Sequence, residues 1–276
     1  MKIIDGKKIS EKVLEEVIEE IKKINYTPTL AVILVGDDPS SKIYVKNKTN
    51  TCNKCGIKCQ EYLLSKDTTE NDLLNLIDEL NAKDNINGIL LQSPVPKHID
   101  INKLFSRIDP IKDVDGFNPI NYGKLLIGED SLVSATSLGI IRLLKEEKIN
   151  LTGKNCVIIG RSNIVGKPLS LCLLNNDATV TIAHSKTVNL KDITSKADIL
   201  ISATGQKALV KKNMVKDGAI VIDVGINRTS DKICGDVDFE DVKDKCSYIT
   251  KVPGGVGPMT IAYLMKNIVK ATKMQI

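Results

Sequence analysis

The sequence predicts an α/β protein of two domains, an N-terminal parallel α/β domain and a second domain of Rossmann type. Three observations carry that reading. Short apolar runs such as LAVILVG (30–36) and GILL (88–91) suit strands covered on both faces, and segments of helical periodicity separate them. A second alternating series follows a Gly-containing connector at 116–139.

Element by element, Val13, Leu14, Val17, Ile18, Ile21 and Ile24 repeat at helical spacing, which predicts a first helix over 11–24 with Ser10 as its cap. After the strand at 30–36, a helix over about 40–55 is expected to stop at Gly56, and IKCQEYL (57–63) reads as the next strand. Leu73, Leu74, Ile77 and Leu80 mark a third helix before the strand at 88–91. The second series has strands at 155–160, 178–183, 198–203 and 219–224, with SYIT (247–250) as the last, and helices are expected after Gly166 and across 208–217. TIAYLMKNIVKATK (260–273) reads as a closing amphipathic helix.

Composition narrows the function classes. The chain of 276 residues has 39 Lys plus Arg against 34 Asp plus Glu, a formal charge of +5 spread along its length. That spread argues against nucleic acid as a partner and favours an anionic small molecule. Aromatic residues make up 3%, too few for base-stacking platforms. No apolar run approaches the roughly 18 residues of a membrane span, and MKIIDGKKISEK lacks the apolar core of a signal peptide, so a cytoplasmic location without membrane contact is expected. Seven cysteines at irregular positions do not form a disulfide framework. Cys52, Cys55 and Cys59 cluster, but their helical spacing fits a buried stripe better than a metal site, and no metal is expected.

Five segments concentrate the chemistry: SKIYVKNK (41–48), GILLQSPVP (88–96), IKDVDGF (111–117), GRSNIVGKP (160–168) and PGGVGPMT (253–260). Tyr44 and Lys48, four apart, share one helix face. Gln92 ends a strand, where parallel sheets collect ligands. GRSNIVGKP joins a strand to a helix, the setting in which backbone N–H groups and the helix dipole receive phosphate; Gly160 and Gly166 permit close approach, and Pro168 suits a first turn. No carboxylate stands at the end of the second strand of this series, where His184, Ser185, Lys186 and Thr187 follow. An acid there would repel a 2′-phosphate, whereas Arg161, Ser185 and Lys186 offer donors to one, which favours NADP over NAD. PGGVG fixes a tight backbone, read either as a ligand wall or as a sharp entry to the last helix.

In this order and at these separations the five segments resemble the bifunctional methylenetetrahydrofolate dehydrogenase/methenyltetrahydrofolate cyclohydrolase family, over nearly the whole chain. The resemblance implies NADP-dependent oxidation of 5,10-methylenetetrahydrofolate, hydrolysis of the product to 10-formyltetrahydrofolate, a place in one-carbon metabolism serving purine biosynthesis, and a homodimer. It implies a catalytic folate-binding domain of residues 1–118 and 258–276, to which the C-terminal helix returns, and an NADP-binding domain of 119–257. Lys48 matches the catalytic lysine of the hydrolytic step, Tyr44 the pocket tyrosine, Gln92 the partner that orients the lysine, and Asp115, rather than Asp113, the carboxylate that binds the pterin. Pro94, Gly254 and Gly255 complete the folate wall. The cofactor set is Gly160, Arg161, Ser162, Ile164, Gly166, Pro168, His184, Ser185, Thr204, Gly205 and Ile226.

Three departures stand out: Ser93 in QSPVP, Lys251 in TKVPGG, and SATSLG (134–139), where the family generally carries Pro-Cys-Thr-Pro-x-Gly. The last bears on hydride transfer more than on water attack. A chain that only hydrolyses, and a silent NADP- or folate-binding protein on the same scaffold, are the competing readings.

Overall fold

The computed structural model describes residues 1–228 and 233–276. In chain order its main elements are β1 (Lys2–Ile4), α1 (Gly6–Ile24), β2 (Thr29–Val35), α2 (Pro39–Cys55), β3 (Lys58–Leu64), α3 (Glu70–Asn81), β4 (Gly88–Leu91), α4 (Ile101–Arg107), α5 (Pro119–Ile127) and α6 (Ala135–Glu146). They continue with β5 (Asn155–Ile159), α7 (Gly166–Leu174), β6 (Thr179–Ala183), α8 (Leu190–Thr194), β7 (Ile199–Ser202), β8 (Ala219–Asp223), the short pair β9 (Asn227–Arg228) and β10 (Ile233–Cys234), α9 (Phe239–Val242), β11 (Cys246–Thr250) and α10 (Val256–Lys273).

Two compact units result, one of residues 12–135 and 261–276, the other of 1–11 and 136–260. The division therefore falls later than the expected 118/119. The connector at 116–139 is not a linker: it holds α5 and the start of α6, and α5 stays with the first of these units because Asn121 is bonded to Asp113.

In the unit of residues 12–135 and 261–276, β2 lies between β3 and β4, all parallel. Leu30, Val32, Leu34 and Leu90 pack on one face with Val17, Leu264 and Ile268, while Ala31, Ile33, Val35, Ile89 and Leu91 pack on the other with Leu73, Ile77 and Leu104. The period-2 alternation of a strand thus fills two cores from one continuous apolar run. Cys52 and Cys55 belong to the first of those cores, but Cys59 does not continue a helical stripe: it stands on β3 and packs against that core from the strand, because Gly56 ends the helix before it.

The other unit carries a six-stranded sheet in the order β1-β11-β8-β7-β5-β6, parallel throughout. After β5 the chain adds β6 on one side and then β7 on the other, which creates the switch point where doubly wound sheets take ligands. Strand β1 escaped the sequence reading because three residues carry no periodicity.

Two local expectations are corrected. Helix α1 begins at Gly6 rather than 11, and the Asp5 carboxylate, not Ser10, caps it by accepting from Lys8 N–H (3.0 Å); Ser10 lies inside the helix and its hydroxyl donates to Lys7 O. The stretch 208–217 is not a helix beyond a single 3₁₀ turn at Lys212–Met214. Val210 N–H donates to Asp236 O (3.0 Å) and Val210 O accepts from Asp238 N–H (3.0 Å), so its backbone groups are committed to a neighbouring segment.

Candidate functional site

Helix α2 is fixed at both ends by local chemistry. Asp38 caps it by accepting from Ser41 N–H (2.7 Å), Pro39 opens it, and Gly56 closes it at φ 78°. Tyr44 and Lys48 lie one turn apart within it, both half-buried. Gln92 directly follows β4, its backbone N–H still donating to Ile33 O (2.9 Å). Lys48 Nζ donates to Gln92 Oε1 at 3.0 Å, and Gln92 Nε2 is spent on Ser93 O (2.7 Å), which points the amide oxygen at the lysine. The Ser93–Pro94 peptide is cis, and Pro94 is exposed beside it.

Burial pushes the Lys48 ammonium below the ordinary lysine range, and the charge of Asp115 pulls it partly back. Burial likewise pushes the Asp115 carboxyl above its usual range, with Lys48 opposing. Asp113 is a different kind of carboxylate. It is fully buried, one oxygen accepts from Asn118 N–H (2.7 Å) and Asn121 Nδ2 (3.0 Å), and burial pushes its carboxyl up to about 6. The structure therefore gives Asp113 a place inside the turn and leaves Asp115 as the half-buried member of the pair. Gly116 closes this turn at φ 71°, where a Cβ would lie 2.6 Å from the Val133 carbonyl carbon.

Lys112 escaped the sequence reading. Its buried ammonium donates to the carbonyls of Leu80 (3.3 Å), Asn81 (2.7 Å) and Lys83 (2.8 Å), capping α3 and anchoring the chain three residues before Asp115. A lysine among charged neighbours gives no such signal in sequence.

The cofactor candidates gather in the other unit, at the carboxyl ends of β5, β6, β7 and β8. Gly160 adopts φ 127°, and a Cβ on it would collide with Ala203 O, while one on Gly166 would collide with Gly160 O. The turn after β5 thus leaves its backbone bare. Ser162 Oγ accepts from Val165 N–H (3.1 Å), and α7 then starts at Gly166 with no side-chain cap and with Pro168 in its first turn. Arg161, Ile164 and Ser185 are exposed. His184 shapes the turn after β6, its N–H donating to Thr187 Oγ1 (2.8 Å) and its Nδ1 accepting from Lys186 N–H (3.2 Å). No carboxylate intervenes at that strand end.

Thr204 and Gly205 follow β7, and Ile226, exposed, follows β8. Behind them stand two buried acids that sequence reading passed over, Asp223 and Asp236. Burial pushes the Asp223 carboxyl up to about 6.

Gly254 and Gly255 lie between β11 and α10, after a cis Val252–Pro253 peptide. Gly254 needs φ 104°, and a Cβ on Gly255 would lie 2.7 Å from Lys251 O. Lys7 N–H donates to Gly254 O (3.0 Å), and Gly6 has no room for a side chain against Gly255 O. The loop is the entry to the last helix and is packed against the start of α1. Pro253, Lys251, Asp223 and Gly235 share the lining of a cavity of about 450 Å³.

SATSLG proves to be largely the opening of α6. Ser134 and Ser137 are buried, Thr136 Oγ1 meets Thr260 Oγ1 at 3.0 Å, and a Cβ on Gly139 would lie 2.9 Å from Met259 Cβ. The retained threonine and glycine make contacts with α10, while the buried Ser137 hydroxyl has no partner.

Residues 4–115 match the model of the tetrahydrofolate dehydrogenase/cyclohydrolase catalytic domain, and residues 134–276 match that of the tetrahydrofolate dehydrogenase/cyclohydrolase NAD(P)-binding domain. The bifunctional protein FolD of Campylobacter concisus is 55% identical over 280 residues, covering 100% of this chain and 99% of its own. Among solved structures, the bifunctional FolD enzyme of Campylobacter jejuni superimposes with a TM-score of 0.98 at 50% identity over 100% of both chains. The Trypanosoma brucei dehydrogenase-cyclohydrolase, solved with NADP cofactor and an inhibitor, gives 0.94 at 34% identity over 99% of this chain and 97% of its own.

Proposed function

The chain belongs to the tetrahydrofolate dehydrogenase/cyclohydrolase family, and from that premise we propose how its own residues divide the work. It is a bifunctional enzyme of one-carbon metabolism that oxidises 5,10-methylenetetrahydrofolate with NADP and hydrolyses the resulting 5,10-methenyl cation to 10-formyltetrahydrofolate.

One observation carries the assignment of the hydrolytic step: a desolvated lysine held 3.0 Å from Gln92 and facing the charge of Asp115. Lowering of its pKa enlarges the neutral fraction of Lys48 near pH 7, and a cationic substrate beside it extends that effect. Neutral Lys48 takes a proton from the water that attacks the bridging carbon; protonated, it returns the proton as the ring opens. Gln92 orients the amine. Asp115 accepts hydrogen bonds from the amino and ring N–H groups of the pterin, and Tyr44 flanks the pocket with Pro94.

NADP, when bound, accepts the hydride from the methylene bridge. The bare turn at Gly160 and Gly166 fits its pyrophosphate, because no Cβ can be built there without collision and the turn opens directly into α7, whose dipole favours an anion at that end. Arg161 and Ser185 offer donors to the 2′-phosphate, and Ser162, Ile164, Pro168, His184, Thr204, Gly205 and Ile226 line the remaining path. A cytoplasmic location fits five buried cysteine thiols packed as core residues, and no helix among the described residues is long and apolar enough to cross a membrane. A homodimer fits β6, an edge strand with exposed Ile182; sedimentation at the mass of one chain would remove it.

The test is a pair of spectrophotometric assays on the purified protein, methylenetetrahydrofolate with NADP or NAD, and methenyltetrahydrofolate alone. Both reactions proceed, the first with NADP preferred. Hydrolysis without nucleotide reduction would leave a cyclohydrolase and place the damage in 134–139.

A further inference from the structure

We propose that Asp236 is a positioning residue for the nucleotide site, a buried carboxylate that ties the turn after β7 to the segment after β8. Its Oδ2 accepts from Ser202 Oγ (3.1 Å), Thr204 N–H (2.7 Å), Thr204 Oγ1 (2.9 Å) and Gly205 N–H (3.2 Å). Its Oδ1 accepts from Asn227 Nδ2 (3.0 Å). One carboxylate therefore holds both ends of the surface on which Thr204, Gly205 and Ile226 stand.

Asp236 is itself held from behind. Asp223 Oδ1 accepts from Asp236 N–H (2.9 Å) and Gly225 N–H (3.0 Å), and Asp223 Oδ2 accepts from Val237 N–H (2.9 Å). Thr250 Oγ1, on β11, accepts from Asp223 N–H (2.8 Å). The packing is tight enough that a Cβ on Gly225 would collide with Asp236 Oδ1, and one on Gly235 with Asp223 Oδ2. Burying a carboxylate is costly unless donors converge on it. Here five donors converge on Asp236, and three of them come from Thr204 and Gly205, which the nucleotide reading already selects. A chain of hydrogen bonds thus runs from β11 through Asp223 and Asp236 to the surface, and its outer end is the candidate cofactor contact.

The inference rests on the NADP reading, and the protein offers an internal control, because hydrolysis of methenyltetrahydrofolate needs no nucleotide. Asp236→Asn in the full chain is measured by NADP titration calorimetry, by the dehydrogenase KM and kcat, and by the hydrolysis rate without nucleotide. The expected result is an NADP Kd and KM raised about tenfold, equivalent to about 1.4 kcal/mol, with hydrolysis within about twofold of the parent. Asp236→Ala, which removes every acceptor, raises both further. Unchanged NADP affinity, or equal losses in both activities, overturns the proposal. Should both Asp236 variants fail to fold, Asn227→Ala severs only the Oδ1 link at a half-buried site; it raises the NADP Kd a few-fold, and an unchanged Kd overturns the proposal. A parent protein that binds NADP but performs neither reaction would sink the functional reading while leaving this test intact.

Discussion

The two candidate sites handle their charged groups in opposite ways. Around Lys48 the reactive side chains are recessed and sparsely bonded: one hydrogen bond to Gln92, one opposing charge on Asp115. Around the cofactor turns the side chains facing outward are few, the backbone is bare at glycine, and the carboxylates stand behind, saturated with donors. The contrast follows from the tasks. A group that must gain and lose a proton needs a pKa moved toward neutrality, which partial burial with few partners supplies. A surface that must only hold a phosphate or a ring needs fixed geometry, which many partners supply.

The sharpest way to break this contrast is Lys48→Met. Hydrolysis should fall by about 10²–10⁴-fold, the range for a lost general base, while NADP binding stays at the parent value. A variant that hydrolyses normally would remove lysine from the chemistry; one that loses NADP binding as well would show that the two regions are not separable.

Asp115→Asn comes next. The Asp115 charge holds the Lys48 pKa up against burial, so its removal lets that pKa fall further, and the acid limb of the hydrolysis pH profile should move to lower pH. The folate KM should rise by about tenfold or more for a lost charge-assisted bond. A limb that stays in place would separate Asp115 from the lysine.

The remaining effect is thermodynamic and belongs to the other region. Asp223 titrates at about 6 in the folded protein, above its unfolded value, so the folded state binds more protons between about pH 4 and 6. This group's contribution to stability is fully present below the unfolded pKa and is lost as pH rises through about 6. The parent should therefore lose up to about 1.4 kcal/mol per pH unit across that window relative to Asp223→Asn. Parallel melting-temperature profiles for the two proteins would contradict it.

Much of this arrangement was legible in the residues. LAVILVG and GILL announce doubly covered strands because every position is apolar, and Gly56 stops α2 as its position after the helix foretells. The pair Tyr44 and Lys48 could be placed on one face from spacing alone. Other features depend on distant partners that no local pattern reveals. Ser10 looks like a cap until Asp5 takes the position, 208–217 looks helical until 236–238 claims its backbone, and Lys112 looks like surface until three carbonyls at the end of α3 surround it. Asp223 and Asp236 are invisible for the same reason, since their donors come from segments up to 34 residues away.

Strand β1 pairs in parallel with β11, Lys2 beside Tyr248, Ile3 beside Ile249 and Ile4 beside Thr250. Partners 246 residues apart in sequence thus lie side by side. Strand β11 ends at Thr250, and the other unit is closed by α10, which ends at Lys273. Both closures join segments far apart in sequence, and such non-local contacts form slowly, because the long intervening loop must be ordered before they can contribute.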